Sequence, residues 1–178
     1  MAFWSDKTLD PKRQFKFKVS FGLASGIVAP FFIAQSADRP SYTIGDTAKV
    51  EFLDKTFYYP GKVTWNEVKI KFVDGTNEET NMAYKVYKYL TTTGWVSPVQ
   101  TGNGDFSTVG KSKAASTSLL IETLNAEGAS IDKYSLNNAF IKSVEQSNLD
   151  YAQDTIATVT LTMRYDWAKY EGLQTTVG

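Results

Sequence analysis

Two stretches decide the fold: Glu67-Val68-Lys69-Ile70-Lys71-Phe72 and Thr158-Val159-Thr160-Leu161-Thr162-Met163-Arg164-Tyr165. In both, apolar and polar side chains alternate one for one. That period places the apolar set on one side of an extended chain and the polar set on the other, so each stretch predicts a strand with one buried face. The pattern recurs in Phe15, Phe17, Val19 and Phe21 against Lys16, Lys18 and Ser20. It recurs again in Ala48, Val50 and Phe52 against Thr47, Lys49 and Glu51, where a phase slip at Leu53-Asp54 suggests a bulge. Residues 118–124 and 130–136 flank Asn125-Ala126-Glu127-Gly128, a turn-rich tetrapeptide that predicts a hairpin loop.

One segment reads as helical. Thr76-Asn77-Glu78-Glu79 has capping-box spacing, and Met82, Ala83, Val86, Tyr87 and Leu90 follow at helical intervals. The spacing predicts a helix over 76–91, ended by the Thr run before Gly94. Residues 92–115 are rich in Gly, Ser and Thr without periodicity, which predicts a long interaction loop or a mobile one. The expected architecture is mainly β: a single domain over 1–178, an antiparallel sandwich or barrel-like protomer with one α-helix.

Composition narrows the chemistry. The 178 residues are 42% hydrophobic, enough to build a core without a disulfide or metal staple. Nineteen Lys and Arg balance nineteen Asp and Glu, which removes the basic footprint of a sequence-reading nucleic-acid binder. There is no His and no Cys, which excludes Ser-His-Asp and Cys-His nucleophiles, structural zinc, iron-sulfur clusters and thiol redox chemistry. Carboxylate, Lys and Tyr chemistry remain open. The longest apolar run, 27–34, contains Pro30, so no spanning helix or signal-peptide core is expected and the chain reads as soluble and made in a cytosol.

The remaining motifs are weak. Gly104 to Ser112 resembles a phosphate-binding loop, but five residues separate Gly104 from Gly110 where the motif needs four, and it reads as an ordinary loop. Ser130-Ile131-Asp132-Lys133 matches Ser-x-x-Lys without the companion motifs and falls in a predicted hairpin. Glu78 and Glu79 suit the positive end of a helix dipole better than paired proton transfer. Lys12, Arg13, Lys16 and Lys18 read as a solvated or subunit-facing surface.

Longer runs carry a resemblance. Phe57-Tyr58-Tyr59-Pro60-Gly61-Lys62-Val63-Thr64-Trp65 leads into the alternating strand, Asp74-Gly75 and the one helix. Leu124 to Gly128, Tyr134 to Ile141, Leu149-Asp150-Tyr151 and Thr158 to Asp166 follow in order. The set resembles tail tube proteins of contractile-tailed bacteriophages over most of the chain, with 94–115 least matched. The resemblance implies a non-enzymatic structural subunit of hexameric rings stacked into a hollow tube. Strands from six copies would form one large inner β-barrel, with the helix outside. The implied partners are further copies of the chain, the tail sheath, baseplate and tail terminator proteins, and phage DNA crossing the lumen transiently without sequence specificity. No cofactor, metal or membrane span is implied, and the location would be the virion tail, assembled in the host bacterial cytoplasm. Thr47, Lys49, Glu51, Asn125 and Glu127 are candidates for lumen or ring contacts. Residues 38–59, with Tyr42, Tyr58 and Tyr59, are the candidate arm toward a neighbouring subunit. A tube subunit of an injection or type VI secretion-like apparatus is the nearest alternative. A carboxylate enzyme, or a glycan-binding sandwich stacking sugars on Trp and Tyr, is the reading from a different class.

Overall fold

The structure, a computed structural model, describes residues 11–23, 27–29, 33–45, 48–97, 108–115 and 118–172. Its elements in chain order are β1 (Phe17–Leu23), β2 (Ile27–Ala29), β3 (Ala34–Ala37), β4 (Tyr42–Ile44), β5 (Ala48–Phe52), β6 (Lys55–Tyr59), β7 (Val63–Trp65) and β8 (Val68–Val73). There follow α1 (Met82–Thr92), α2 (Lys111–Ala114), β9 (Ser118–Leu124), β10 (Ser130–Asn137), β11 (Phe140–Gln146), β12 (Thr158–Arg164) and β13 (Trp167–Gly172). Every strand pairing is antiparallel.

Alternation becomes burial in β1, β8 and β12, whereas Phe15 lies before β1 and is exposed, and β5 is exposed at every residue because no sheet among the described residues packs on it. In β8, Val68, Ile70 and Phe72 are buried while Lys69 is exposed, and in β12 Val159, Leu161 and Met163 are buried. These strands are central in a four-stranded sheet of order β11-β12-β8-β3. A five-stranded sheet of order β13-β10-β9-β1-β2 supplies Val19, Phe21, Leu119, Ile121 and Leu136 to the same core cluster. Phe21 of one sheet lies 6.4 Å from Phe72 of the other, centroid to centroid. The architecture is therefore an antiparallel β-sandwich.

The helix differs from expectation at its start. Residues 76–80 form bends and a turn, with the Thr80 amide donating to the Asn77 carbonyl, so the Thr76 to Glu79 capping box is not formed at a helix start. Helix α1 begins at Met82 because two other side chains collect its orphan amides. Asn81 Oδ1 accepts from the Tyr84 N–H at 2.7 Å, and Asp74 Oδ1 accepts from Met82 and Ala83 at 2.8 and 3.3 Å. Glu78 and Glu79 lie before the helix, and its first turn holds no acid. At the other end Gly94, at φ +114°, completes a Schellman closure with Trp95 N–H donating to Leu90 O and Gly94 N–H to Thr91 O. Asn81→Ala is expected to cost about 1 kcal/mol in urea denaturation, and Thr76→Ala less than about 0.5 kcal/mol. The opposite ranking would restore the capping box.

The stretch 92–115 is not wholly irregular. Its described part contains α2, a second short helix beside the one expected, with Ala114 buried and its carbonyl accepting from the Tyr89 hydroxyl at 2.8 Å. The bond ties α2 to the inner face of α1. Residues 104–107 of the loop that resembles a phosphate site lie outside the described residues. The Leu53-Asp54 slip is a hairpin turn, not a bulge: β5 and β6 pair in register from Ala48↔Tyr59 to Phe52↔Lys55.

Candidate assembly surfaces

The arm is built from β4 to β7. Its base is a ribbon in which Tyr42 pairs with Trp65 and their rings meet edge to face at 5.4 Å. Trp65 in turn lies 6.0 Å from buried Tyr165, which roots the ribbon in the sandwich. Burial pushes the Tyr165 phenol up to about 12, and among the described residues its hydroxyl has no hydrogen-bond partner. Below the ribbon, Glu67 accepts from Lys142 at 2.6 Å and from Arg164 at 2.8 Å, and those bonds hold its carboxyl below the ordinary range.

Beyond the ribbon stands the β5-β6 hairpin, exposed along its whole length. Register sorts its side chains into two faces. Lys49, Glu51, Thr56 and Tyr58 share one, with Lys49 and Glu51 ion-paired. Ala48, Val50, Phe52, Phe57 and Tyr59 share the other with Lys55, which pairs with Phe52 at the tip end, and there Phe52 is 66% and Phe57 47% exposed. Among the described residues nothing buries this largely apolar face of the two-stranded ribbon. At the tip, Leu53 sits at φ +55° and is 89% exposed. A bulky residue in the left-handed region is strained, and its side chain returns no core contact for that strain.

The sequence-predicted residues divide accordingly. Tyr42, Lys49, Glu51, Tyr58 and Tyr59 all lie exposed on this arm, which extends past 59 to Trp65. Thr47 lies outside the described residues. Asn125 and Glu127 lie elsewhere, at the β9-β10 turn. Asn125 is occupied within that turn, its Oδ1 accepting from Glu127 at 3.1 Å and Ala129 at 2.7 Å, while Glu127 is exposed.

A second surface was not legible in the sequence because strand pairing makes it. On the outward face of the five-stranded sheet, register lines up Lys18, Glu122, Lys133 and Glu171 across β1, β9, β10 and β13. The row alternates in sign, and Lys133 approaches Glu171 at 3.9 Å. Beneath it, a bulge between Ser130 and Asp132 turns the Asp132 carboxylate inward. Lys12 pairs with it and the Tyr170 hydroxyl donates to it at 2.7 Å, tying β13 and the segment before β1 to β10.

Burial alone would raise the Asp132 carboxyl; the Lys12 and Tyr170 hydrogen bonds outweigh it and hold the group below its ordinary value of 3.8. A carboxyl depressed in the folded state stabilises fully above its unfolded value and loses that contribution as pH falls through the folded one. Asp132→Asn is therefore expected to be less stable than wild type by about 2 kcal/mol at pH 7. The gap should close as pH drops below 3.8, where the wild-type carboxylate protonates. Urea midpoints across pH would show this; a gap independent of pH would contradict it.

Among the described residues no three carboxylates gather as a metal site. No helix among them is long and apolar enough to cross a membrane.

No protein-family model matches the chain, and no curated protein matches its sequence. Solved structures do. A chain in the cap of the anti-feeding prophage, described as a tube-terminating cap, superposes with a TM-score of 0.66 at 17% identity, covering 97% of this chain and 99% of that one. A chain in the sheath-tube complex of an extracellular contractile injection system gives 0.60 at 16%, covering 92% and 93%. The SPP1 tail tube gives 0.55 at 13%, covering 91% and 80%. The structural neighbours are thus tube and terminator components of contractile injection systems and phage tails, and this chain has their fold.

Proposed function

We propose that the chain is a structural, non-enzymatic subunit of the inner tube of a contractile phage tail, assembling as stacked hexameric rings. The observation that carries the reading is the amphipathic hairpin of β5 and β6, whose largely apolar face nothing among the described residues covers, on a sandwich with the fold of tube proteins. We infer that the outward face of the five-stranded sheet forms the lumen wall. Its Lys18-Glu122-Lys133-Glu171 row suits a conduit, since alternating signs give a passing phosphate backbone no continuous positive track on which to release its counterions and stick. The exposed edge of β13 would continue the sheet into the neighbouring subunit, with six copies closing the barrel. Sheath, baseplate and terminator proteins are then the outer and terminal partners, and the virion tail the location.

The neighbours from contractile injection systems favour a second reading, in which the tube carries protein rather than DNA. Electron microscopy of the purified protein at high concentration tests the shared part: six-fold rings or tubes are expected, and a protein that stays monomeric by light scattering would refute it. The content of tubes isolated from producing cells, nucleic acid or polypeptide, separates the two cargoes.

A further inference from the structure

Two apolar features lie outside the arm and the lumen face, one convex and one concave. The convex one is the β11-β12 loop. There the Asp150 side chain accepts from the Ala152 N–H at 2.9 Å and the Asp150 carbonyl from Gln153 at 3.3 Å, a turn that leaves Leu149 92% exposed and Tyr151 fully so. The concave one is a cleft of about 530 Å³ between α1 and β11, walled by Val86, Leu90, Ile141 and Val144. Its size is in the range that holds a drug-sized molecule, which is room for two large side chains.

Charge is sorted between them although the whole chain is neutral. Helices α1 and α2 carry Lys85, Lys88, Lys111 and Lys113 and no carboxylate, although Lys111 is paired with Asp166 and the cleft's Lys142 with Glu67 in the same protomer. The loop, residues 147–157, carries Asp150 and Asp154 and no cation. Strand β11 walls the cleft from Phe140 to Val144 and delivers the loop after Gln146, so Leu149 lies within about 17 Å of Val144 along the chain at about 3.3 Å per residue.

We propose that Leu149 and Tyr151 of one copy dock in the α1-β11 cleft of the next, with Asp150 and Asp154 facing the lysines of that copy's helices. The contact is heterologous, head to tail, so it propagates from copy to copy into a ring or a filament. This rests on the reading of the chain as a self-assembling tube subunit, and it names a contact that neither the arm nor the lumen sheet supplies.

The absence of native cysteine makes the test direct. Two single variants, Leu149→Cys and Val144→Cys, are mixed, assembled and treated with a short bismaleimide. Both positions are solvent-exposed, and thermal melts confirm that the variants are folded. A mixed dimer at least tenfold more abundant than in either variant alone is expected. A Leu149→Cys and Phe52→Cys mixture serves as the background. Tubes that form without the Leu149-Val144 cross-link overturn the contact and leave the tube reading standing. A cross-link from protein that makes no tubes upholds the contact and refutes the tube. Wild-type protein that neither assembles nor cross-links through these positions overturns both.

Discussion

The Phe52→Asp, Phe57→Asp double variant is expected to form no tubes, while its protomer should melt within about 2 °C of wild type. Both rings lie on the same face of the β5-β6 hairpin and are exposed, so replacing them removes little packing from the protomer. In the proposed assembly the same positions would be buried, and of two carboxylates there Lys55, opposite Phe52 in register, can answer at most one. Truncating or charging central aromatic anchors typically costs about 2 kcal/mol or more each. Two such losses weaken every subunit contact by roughly a thousandfold, and the loss repeats around a ring. Light scattering and electron microscopy read the assembly, and calorimetry reads the fold. Normal tubes from the double variant would remove the hairpin from the interface.

The second large effect concerns the core. Phe72→Ala is expected to lower stability by about 3–5 kcal/mol, shifting the melting temperature by roughly 10 °C or more. Phe72 is 1% exposed on a central strand, between β12 and β3, and its ring is part of the contact between the two sheets. Removing it leaves a void in the layer that joins them. The loss is a large part of the roughly 5–15 kcal/mol that holds a domain folded. Phe15→Ala is the control: its ring is 69% exposed, and a change within about 0.5 kcal/mol is expected. Urea midpoints by circular dichroism distinguish the two.

Which elements were readable follows from burial. Strands β1, β8, β9 and β12 bury one face in the sandwich, and selection for that face wrote the alternation that reveals them. The edge strand β13 and the shortest arm strands carry no such constraint, whereas β5 alternates cleanly without being buried in the protomer. Trp167–Gly172 is largely exposed as the edge strand β13, and its residues show no clean period. The three-residue β4 and β7 are too short to show one. The helix start was misread because Thr76 and Glu79 match a capping motif by spacing alone, whereas Asp74 and Asn81 are the side chains whose oxygens reach the amides. The site was legible in part. Tyr42, Tyr58 and Tyr59 announced the arm as aromatics without a periodic home. The Lys18-Glu122-Lys133-Glu171 row could not be seen, because those residues are neighbours only through register across four strands, of which β1 and β9 are about a hundred residues apart in sequence.

That separation also sets the order of events during synthesis. Phe17 of β1 has Thr123 of β9 as its partner, so the first strand waits for some hundred further residues, about 5–20 s on a translating ribosome. In that interval Val19 and Phe21 have no sheet to enter. The β5-β6 hairpin, closed by a two-residue turn, needs no distant partner and can form within microseconds of emerging. The newborn chain can thus sample this hairpin's register well before the sandwich that carries it exists. Chains arrested before Ser118 should accumulate as insoluble material, and the protein's supply of competent subunits is limited by completion of its C-terminal third rather than by the arm.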